Sequence, residues 1–354
     1  MTLRVAIANT RSRSIGPSAL FLLGAGFLGY QSNKALHSST YVRNEGRDVG
    51  FDRLYKRATG NQRKVDHNSA VCWYYEASEN KQLRTLANAT LSMAKPTLLA
   101  FHGSGSNDTI HYVQLARISR FLKQHFEIEA LCGPIESAAG PGILPFFDGC
   151  GPFYRWAPPS DIVNASTSPT YGPMLPEVCS LIEAAVSRAR SKGSKVVGVI
   201  GFSQGTRVVA GLLKASQIQR VLAKEGKGKA LEWLADIRFG LSVCSSFPPA
   251  LVPAAVLEAV KTSGQDEDQQ KALLEEKIVL PALHVLGSQD EWAWAGKLLI
   301  GSAYETDVEP KVDVEKGKNG VLEFAMGHHY PVQPEDTEKV ANWVLGTWEG
   351  VKGE

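Results

Sequence analysis

Residues 201–205 read Gly-Phe-Ser-Gln-Gly, a G-x-S-x-G spacing that would present Ser203 on a tight turn between a strand and a helix. A serine hydroxyl is a poor nucleophile until an imidazole takes its proton. A carboxylate must then fix the imidazole tautomer and stabilise its charged form. Two backbone N–H groups must also face the oxyanion that develops on the attacked carbonyl. Widely separated stretches of the chain offer each part: His102-Gly103-Ser104-Gly105-Ser106-Asn107, Asp290 in GSQDEW, and His328 in GHHYP. In this arrangement Ser203, Asp290 and His328 would be catalytic, and the N–H groups of Ser104 and Gln204 would hold the oxyanion. Gly201 and Gly205 fit a turn where backbones approach too closely for a Cβ.

Each piece has a plainer reading. G-x-S-x-G also occurs as an ordinary turn. Asp290 suits the N-cap of a helix starting at Glu291-Trp292, a role compatible with catalysis, and Asp307 is a reserve acid. His328 could be a surface histidine beside His329. The glycine loop lacks the Gly-Lys-Ser/Thr ending of a phosphate cradle. The His-His pair has no acid at zinc-site spacing, so no metal and no cofactor are expected.

The elements around these residues give their order meaning. PTLLAFHG, FEIEALCGP, KVVGVIGF, RFGLSVCSSF, PALHVLGS and VLEFAM read as strands. Between them lie helical stretches at TIHYVQLARISRFLKQHF, PMLPEVCSLIEAAVSRARSKG, QGTRVVAGLLKAS and about 268–277, and PEDTEKVANWVLGTWEG closes the chain. Strands apolar throughout, alternating with helices, predict an α/β fold: a mostly parallel sheet flanked by helices in a three-layer sandwich. In such sheets function gathers beyond the carboxyl ends of the strands. The glycine loop, Ser203, Asp290 and His328 each come directly after a strand, in the chain order of α/β-hydrolases.

Over roughly residues 95–347 the chain resembles the family serine hydrolases within the α/β-hydrolase fold. The resemblance rests on LLAFHGSGSN, GFSQGTRVVAGLL, LHVLGSQDEW and GHHYP. It implies a serine hydrolase, with His328 in the position of the family's histidine. Thr206 stands where the family usually has a small residue. GPIESAAGPGILPFFDGCGPFYRW (133–156) is similar to the segment of members found beside fungal polyketide synthases, where such enzymes free acyl chains as esterases or thioesterases. The resemblance therefore implies an ester or acyl-thioester substrate, either free or carrier-bound on a polyketide synthase. A short-chain carboxylesterase without a pathway role, or a non-catalytic binding protein on the same fold, is the alternative. Read from its residues, the 133–156 segment is an aromatic wall on a Gly/Pro-rich loop. Phe146, Phe147, Tyr154 and Trp156 would either line an apolar acyl site or pack the loop against the body.

Composition bounds the rest. The chain has 354 residues, 44% of them apolar, enough for a sizeable core. Lys+Arg and Asp+Glu number 38 and 36, with no basic stripe, so nucleic acid is not an expected partner. Cys72, Cys132, Cys150, Cys179 and Cys244 are scattered, which suits reduced thiols in an intracellular, most simply cytoplasmic, setting. The chain divides into three regions: a basic and apolar extension at 1–44, a polar appended segment at 45–94 with a short strand candidate at VCWYY, and the hydrolase domain at 95–354. The extension carries Arg4, Arg11, Arg13, Lys34 and Arg43 and no acid before Glu45. Three readings compete for it: a mitochondrial transit peptide, a signal-like or short membrane anchor through residues 15–30, and an unstructured extension. The sequon Asn107-Asp108-Thr109 lies in the glycine loop, where a glycan would obstruct the site.

Overall fold

The computed structural model describes residues 94–159 and 169–353. The 1–44 extension, the VCWYY candidate and all of the appended segment before Ala94 lie outside the described residues. The described residues form ten strands: β1 Thr97–Phe101, β2 Glu127–Leu131, β3 Ile135–Ser137, β4 Phe153–Arg155, β5 Tyr171–Met174, β6 Val196–Phe202, β7 Phe239–Val243, β8 Ala250–Pro253, β9 Ala282–Gly287 and β10 Gly320–Phe324. The helices are α1 Asp108–Leu122, α2 Pro176–Ser191, α3 Gly205–Lys224, α4 Ala254–Lys261, α5 Glu267–Glu275, α6 Ala293–Ala303 and α7 Pro334–Val351, with a 3-10 helix at Lys229–Asp236.

The six strands expected from their apolar runs form one parallel sheet in the order β10-β9-β7-β6-β1-β2. Its inner strands are buried on both faces, which is why they are apolar throughout. Alternate residues feed two cores. Leu99 and Phe101 join a core with α2 and α3, whereas Leu98 and Ala100 join one with α1 and α7. The register of β1 on β6 shifts between Thr97 and Leu98, so that Val197 is an extra residue. A one-residue insert reverses the faces beyond it. Val196 and Val199 therefore lie in the first core, and Val197, Ile200 and Phe202 in the second.

The flanking helices dock through short apolar stripes. On α1, Leu115, Ile118 and Leu122 recur at helical spacing and are buried, each stabilising the fold by about 1.5–3 kcal/mol. Helix α3 differs, because every residue from Gly205 to Gln219 is buried, polar ones included. Two small ribbons stand apart from the main sheet, an antiparallel β3–β4 hairpin and a parallel β5–β8 pair. Among the described residues no helix is long and apolar enough to cross a membrane. Cys132, Cys150, Cys179 and Cys244 are unpaired thiols.

Because the strands are parallel, all six carboxyl ends share one edge of the sheet. That edge carries His328 beyond β10, Asp290 beyond β9, Cys244 after β7, Ser203 after β6 and Ser104 beyond β1.

Candidate active site

Ser203 stands between the last residue of β6 and the start of α3 with φ +48°, a left-handed conformation that side chains other than glycine rarely adopt. Such a residue costs about 1–2 kcal/mol and needs surroundings that impose it. Its N–H donates to Val243 O at 3.0 Å, and its carbonyl accepts from the Thr206 N–H at 3.0 Å and the Thr206 hydroxyl at 2.6 Å. The turn leaves no room beside it. A Cβ on Gly205 would lie 2.2 Å from Phe101 O, and one on Gly201 would lie 2.8 Å from the Gly205 backbone. Thr206, unusual against the resembled family, is therefore a working part of the turn. Its Oγ1 also accepts from the Ser246 N–H at 3.1 Å, tying the elbow to the loop after β7.

Across the pocket, His328 Nδ1 lies 2.8 Å from Asp290 Oδ2. An ionised carboxylate only accepts, so Nδ1 carries a proton, and in the neutral ring this leaves the lone pair on Nε2. The other Asp290 oxygen, Oδ1, accepts from the Trp292 N–H at 2.9 Å. Helix α6 begins only at Ala293, with Trp292 at its N-cap, so Asp290 braces the turn before the helix instead of capping it. Burial works to raise the Asp290 pKa. The His328 and Trp292 hydrogen bonds and the imidazole charge outweigh it and hold the carboxyl below its usual value.

The histidine pair divides its labour. His329 donates from Nδ1 to Tyr330 O at 2.7 Å and accepts from the Gly327 N–H at 3.3 Å, so it shapes the loop that carries His328. Phe202 stacks on Tyr330 with centroids 5.2 Å apart and tilts against His328 at 5.1 Å. The Tyr330 hydroxyl pairs with His111 Nε2 at 2.9 Å, fixing the loop to α1.

Cys244 carried no signal in the sequence, yet it sits under the pair. It too has φ +48°, and its thiol points to His329 O at 3.5 Å and Gly327 O at 3.8 Å. Burial first, and then the nearby Asp290 charge, push this thiol well above its ordinary pKa. Among the described residues, Cys244, Asp290 and His328 are the one group with ligand atoms close enough to share a metal, all within 4.8 Å. A thiol held protonated and a proton held between His328 and Asp290 make that donor set a hydrogen-bonded one.

Ser104, Gln204, Ser203 and His328 line one pocket, together with Pro141, Arg155, Pro158, Pro159, Phe247 and Trp292. Neither the Ser104 nor the Gln204 N–H donates to another described residue. The glycine loop is braced by the β3–β4 ribbon. Gly105 N–H donates to Tyr154 O at 2.8 Å, Tyr154 N–H to Ser106 O at 2.7 Å and Gly140 N–H to Gly105 O at 2.9 Å.

The aromatics of 133–156 lie away from the immediate surroundings of Ser203. None of Phe146, Phe147, Tyr154 and Trp156 lines the pocket around Ser203. Trp156 is 0% exposed, edge-on to Phe101 at 5.3 Å, and its indole N–H donates to His102 O at 2.8 Å. A large ring with a single donor finds both its apolar contacts and its acceptor inside the body. Tyr154 joins the glycine loop through its backbone, Phe147 is half-buried and Phe146 is 86% exposed. The walls come instead from the intervening Arg155, from prolines, and from Phe247 and Trp292 beyond other strands.

The glycosylation sequon is likewise engaged in structure. Asn107 Oδ1 accepts from the Ile110 N–H at 2.9 Å, capping α1, while its amide donates to Cys150 O at 2.8 Å and Pro152 O at 3.1 Å. That nitrogen has no free face for a glycan.

Residues 89–340 match the family model described as serine hydrolase (FSH1). The chain belongs to that family. Among its curated relatives, the dihydromonacolin L-[lovastatin nonaketide synthase] thioesterase of Aspergillus terreus is 30% identical over 264 residues, 73% of this chain and 95% of that protein. Esterase mlcF of Penicillium citrinum is 27% identical, covering 74% and 94%. Esterase FUS5 of Gibberella fujikuroi is also 27% identical, covering 72% and 88%. Among solved structures, SOBER1 of Arabidopsis thaliana aligns over 71% of this chain and 98% of its own at 12% identity, with a TM-score of 0.39. This serine hydrolase thus has fungal esterases and thioesterases as relatives.

Proposed function

We propose that this serine hydrolase cleaves an acyl ester or thioester through Ser203, His328 and Asp290, and that its substrate is a polyketide-type or similar acyl chain, delivered on a carrier. The observation that carries the reading is the 2.8 Å His328–Asp290 bond in a pocket that also holds the strained Ser203. His328 Nε2 takes the Ser203 proton as Oγ attacks the carbonyl carbon. The oxyanion is received by the N–H groups of Ser104 and Gln204. His328 then protonates the leaving alcohol or thiol, and water, deprotonated by the same nitrogen, releases the acid from the acyl-serine. The acyl-chain part of the reading is supported by the names of the relatives and by the apolar part of the pocket lining, Pro141, Pro158, Pro159, Phe247, Trp292 and Ala295.

The test is labelling by a fluorophosphonate, followed by peptide mapping and by turnover of matched esters and thioesters of increasing chain length. Adduct on Ser203, and a Ser203→Ala loss of kcat/KM of roughly 10⁴-fold or more, are expected. Folded protein without adduct would sink the catalytic assignment. A profile favouring only short esters would remove the carrier-bound chain and leave a carboxylesterase.

A further inference from the structure

Beside the nucleophile's pocket lies a second one, walled by Trp156, Pro158, Pro159, Leu175, Pro249 and Leu251, with Arg207 among its lining residues. Pro158 and Pro159 line both pockets, and Phe247 of the first is the ring over which the Arg207 guanidinium lies, 5.3 Å from its centroid. Arg207 comes four residues after Ser203, on α3, about one helical turn or 5–6 Å along the axis.

The state of this arginine is the telling feature. It is 4% exposed and makes no ion pair among the described residues. Nε donates to Pro249 O at 2.9 Å, and Nη1 is buried with no hydrogen-bond partner. Lys214, the other buried cation of α3, has the Glu276 charge beside it, whereas nothing of opposite charge raises the Arg207 pKa, which burial takes down to about 10. The group stays charged at neutral pH. A buried charge is expensive unless paired, and an apolar side chain of equal volume would pack this place without that cost. The Pro249 bond and the Phe247 ring anchor the stem and one donor, and leave the rest of the fork unused.

We propose that the Arg207 pocket is a subsite for an anionic oxygen group of the substrate, a carboxylate or a phosphate, at the end of an apolar stretch. A planar guanidinium with unused donors matches such oxygens. The acyl chain could bring a carboxylate, and a carrier arm could bring a phosphate. The inference rests on the hydrolase reading only for the place of the nucleophile.

The experiment measures binding, so it stands apart from turnover. Full-length Ser203→Ala protein is titrated calorimetrically with two matched pairs: suberic acid monoamide against suberamide, and phosphopantetheine against pantetheine. At least one anion should bind about tenfold tighter than its neutral partner, as a charge-assisted pair requires. Preference within the first pair assigns the subsite to the chain end, and within the second to the carrier arm. Arg207→Gln should abolish the preference. If that variant does not fold, Arg207→Lys, which keeps the charge but not the fork, should cut it by roughly threefold or more. Ratios near one in both pairs, or a preference unchanged by either variant, overturn the proposal. Loss of ester turnover in Ser203-intact protein would count against the catalytic reading alone.

Discussion

At the scale of single residues, the elbow works because neighbours impose a conformation that Ser203 would not choose. Thr206 contributes most directly, since its hydroxyl serves both the Ser203 carbonyl and the Ser246 N–H. Thr206→Val keeps the shape but removes both bonds and leaves a partly buried N–H unpaired. A loss of about 1–2 kcal/mol in urea unfolding is expected, with a fall in kcat that Thr206→Ser restores. If the valine variant kept full activity, the strain at Ser203 would not depend on this hydroxyl. Asp290 permits a sharper expectation. Asparagine there could donate to His328 Nδ1 and so favour the wrong tautomer, and kcat should fall by about 10⁴-fold with little change in melting. A drop below tenfold would point to Asp307 or another acid, and the reserve role would need testing in turn.

At the scale of elements, the strands of the main sheet were legible because a strand buried on both faces must be apolar throughout. The grouping of Ser203, Asp290 and His328 was legible for a related reason: parallel strands bring the loops at their carboxyl ends to one edge. The β3–β4 and β5–β8 ribbons were not, since three or four residues leave no periodicity. Arg207, Lys214 and Gln217 are polar side chains buried along α3. They lie buried because the loop around Pro249, Glu276 and Lys277 cover them, and those partners are distant in sequence. Trp156, an aromatic on a Gly/Pro-rich loop, turns inward to Phe101 and the His102 carbonyl, one of the two readings its sequence context allowed. Asn107 tests how far this loop depends on α1. Asn107→Ala loses the cap and two loop bonds, a cost of about 2 kcal/mol in unfolding, with faster protease nicking between 138 and 152. Asn107→Asp keeps the capping oxygen but not the donors, so it should spare the helix and still free the loop. Equal nicking in the two variants and slower nicking in the parent are the expected pattern; nicking unchanged in both would remove Asn107 from the bracing of the loop.

At the scale of the whole molecule, three histidines among the described residues are buried uncharged in different layers. His102 accepts from the Gly133 N–H at 2.9 Å through Nε2 and donates from Nδ1 to Gly103 O at 2.7 Å. Burial takes its pKa from 6.5 down to about 4, against the small upward pull of the Gly103 bond. His284 lies edge-on to Tyr304 at 4.3 Å with neither ring nitrogen partnered, and burial takes it to about 3. His111 is held well below 6.5 by burial and, secondarily, by His102. Each of these groups binds a proton in the unfolded chain near pH 6.5 and resists one in the folded chain. Between pH 6.5 and 4 the unfolded state therefore carries more protons, and stability falls as pH falls. His102 and His284 each cost about 1.4 kcal/mol per pH unit in that window, so at pH 5 these two together remove about 4 kcal/mol, a large share of the stability of many domains, and His111 acts in the same direction. Asp290, with its lowered pKa, adds its own loss only below about its usual value of 3.8. Urea midpoints at pH 7.5, 6 and 5 should fall steeply and in step with one another by fluorescence and circular dichroism. His284→Leu separates this cause from general acid sensitivity. It deletes two unpartnered nitrogens from the core, so it should leave stability at pH 7.5 equal or higher and flatten the acid slope by about one proton. An unchanged slope in that variant, or a parent midpoint that does not move between pH 7.5 and 5, would mean that the buried rings do not govern the acid limit of the fold.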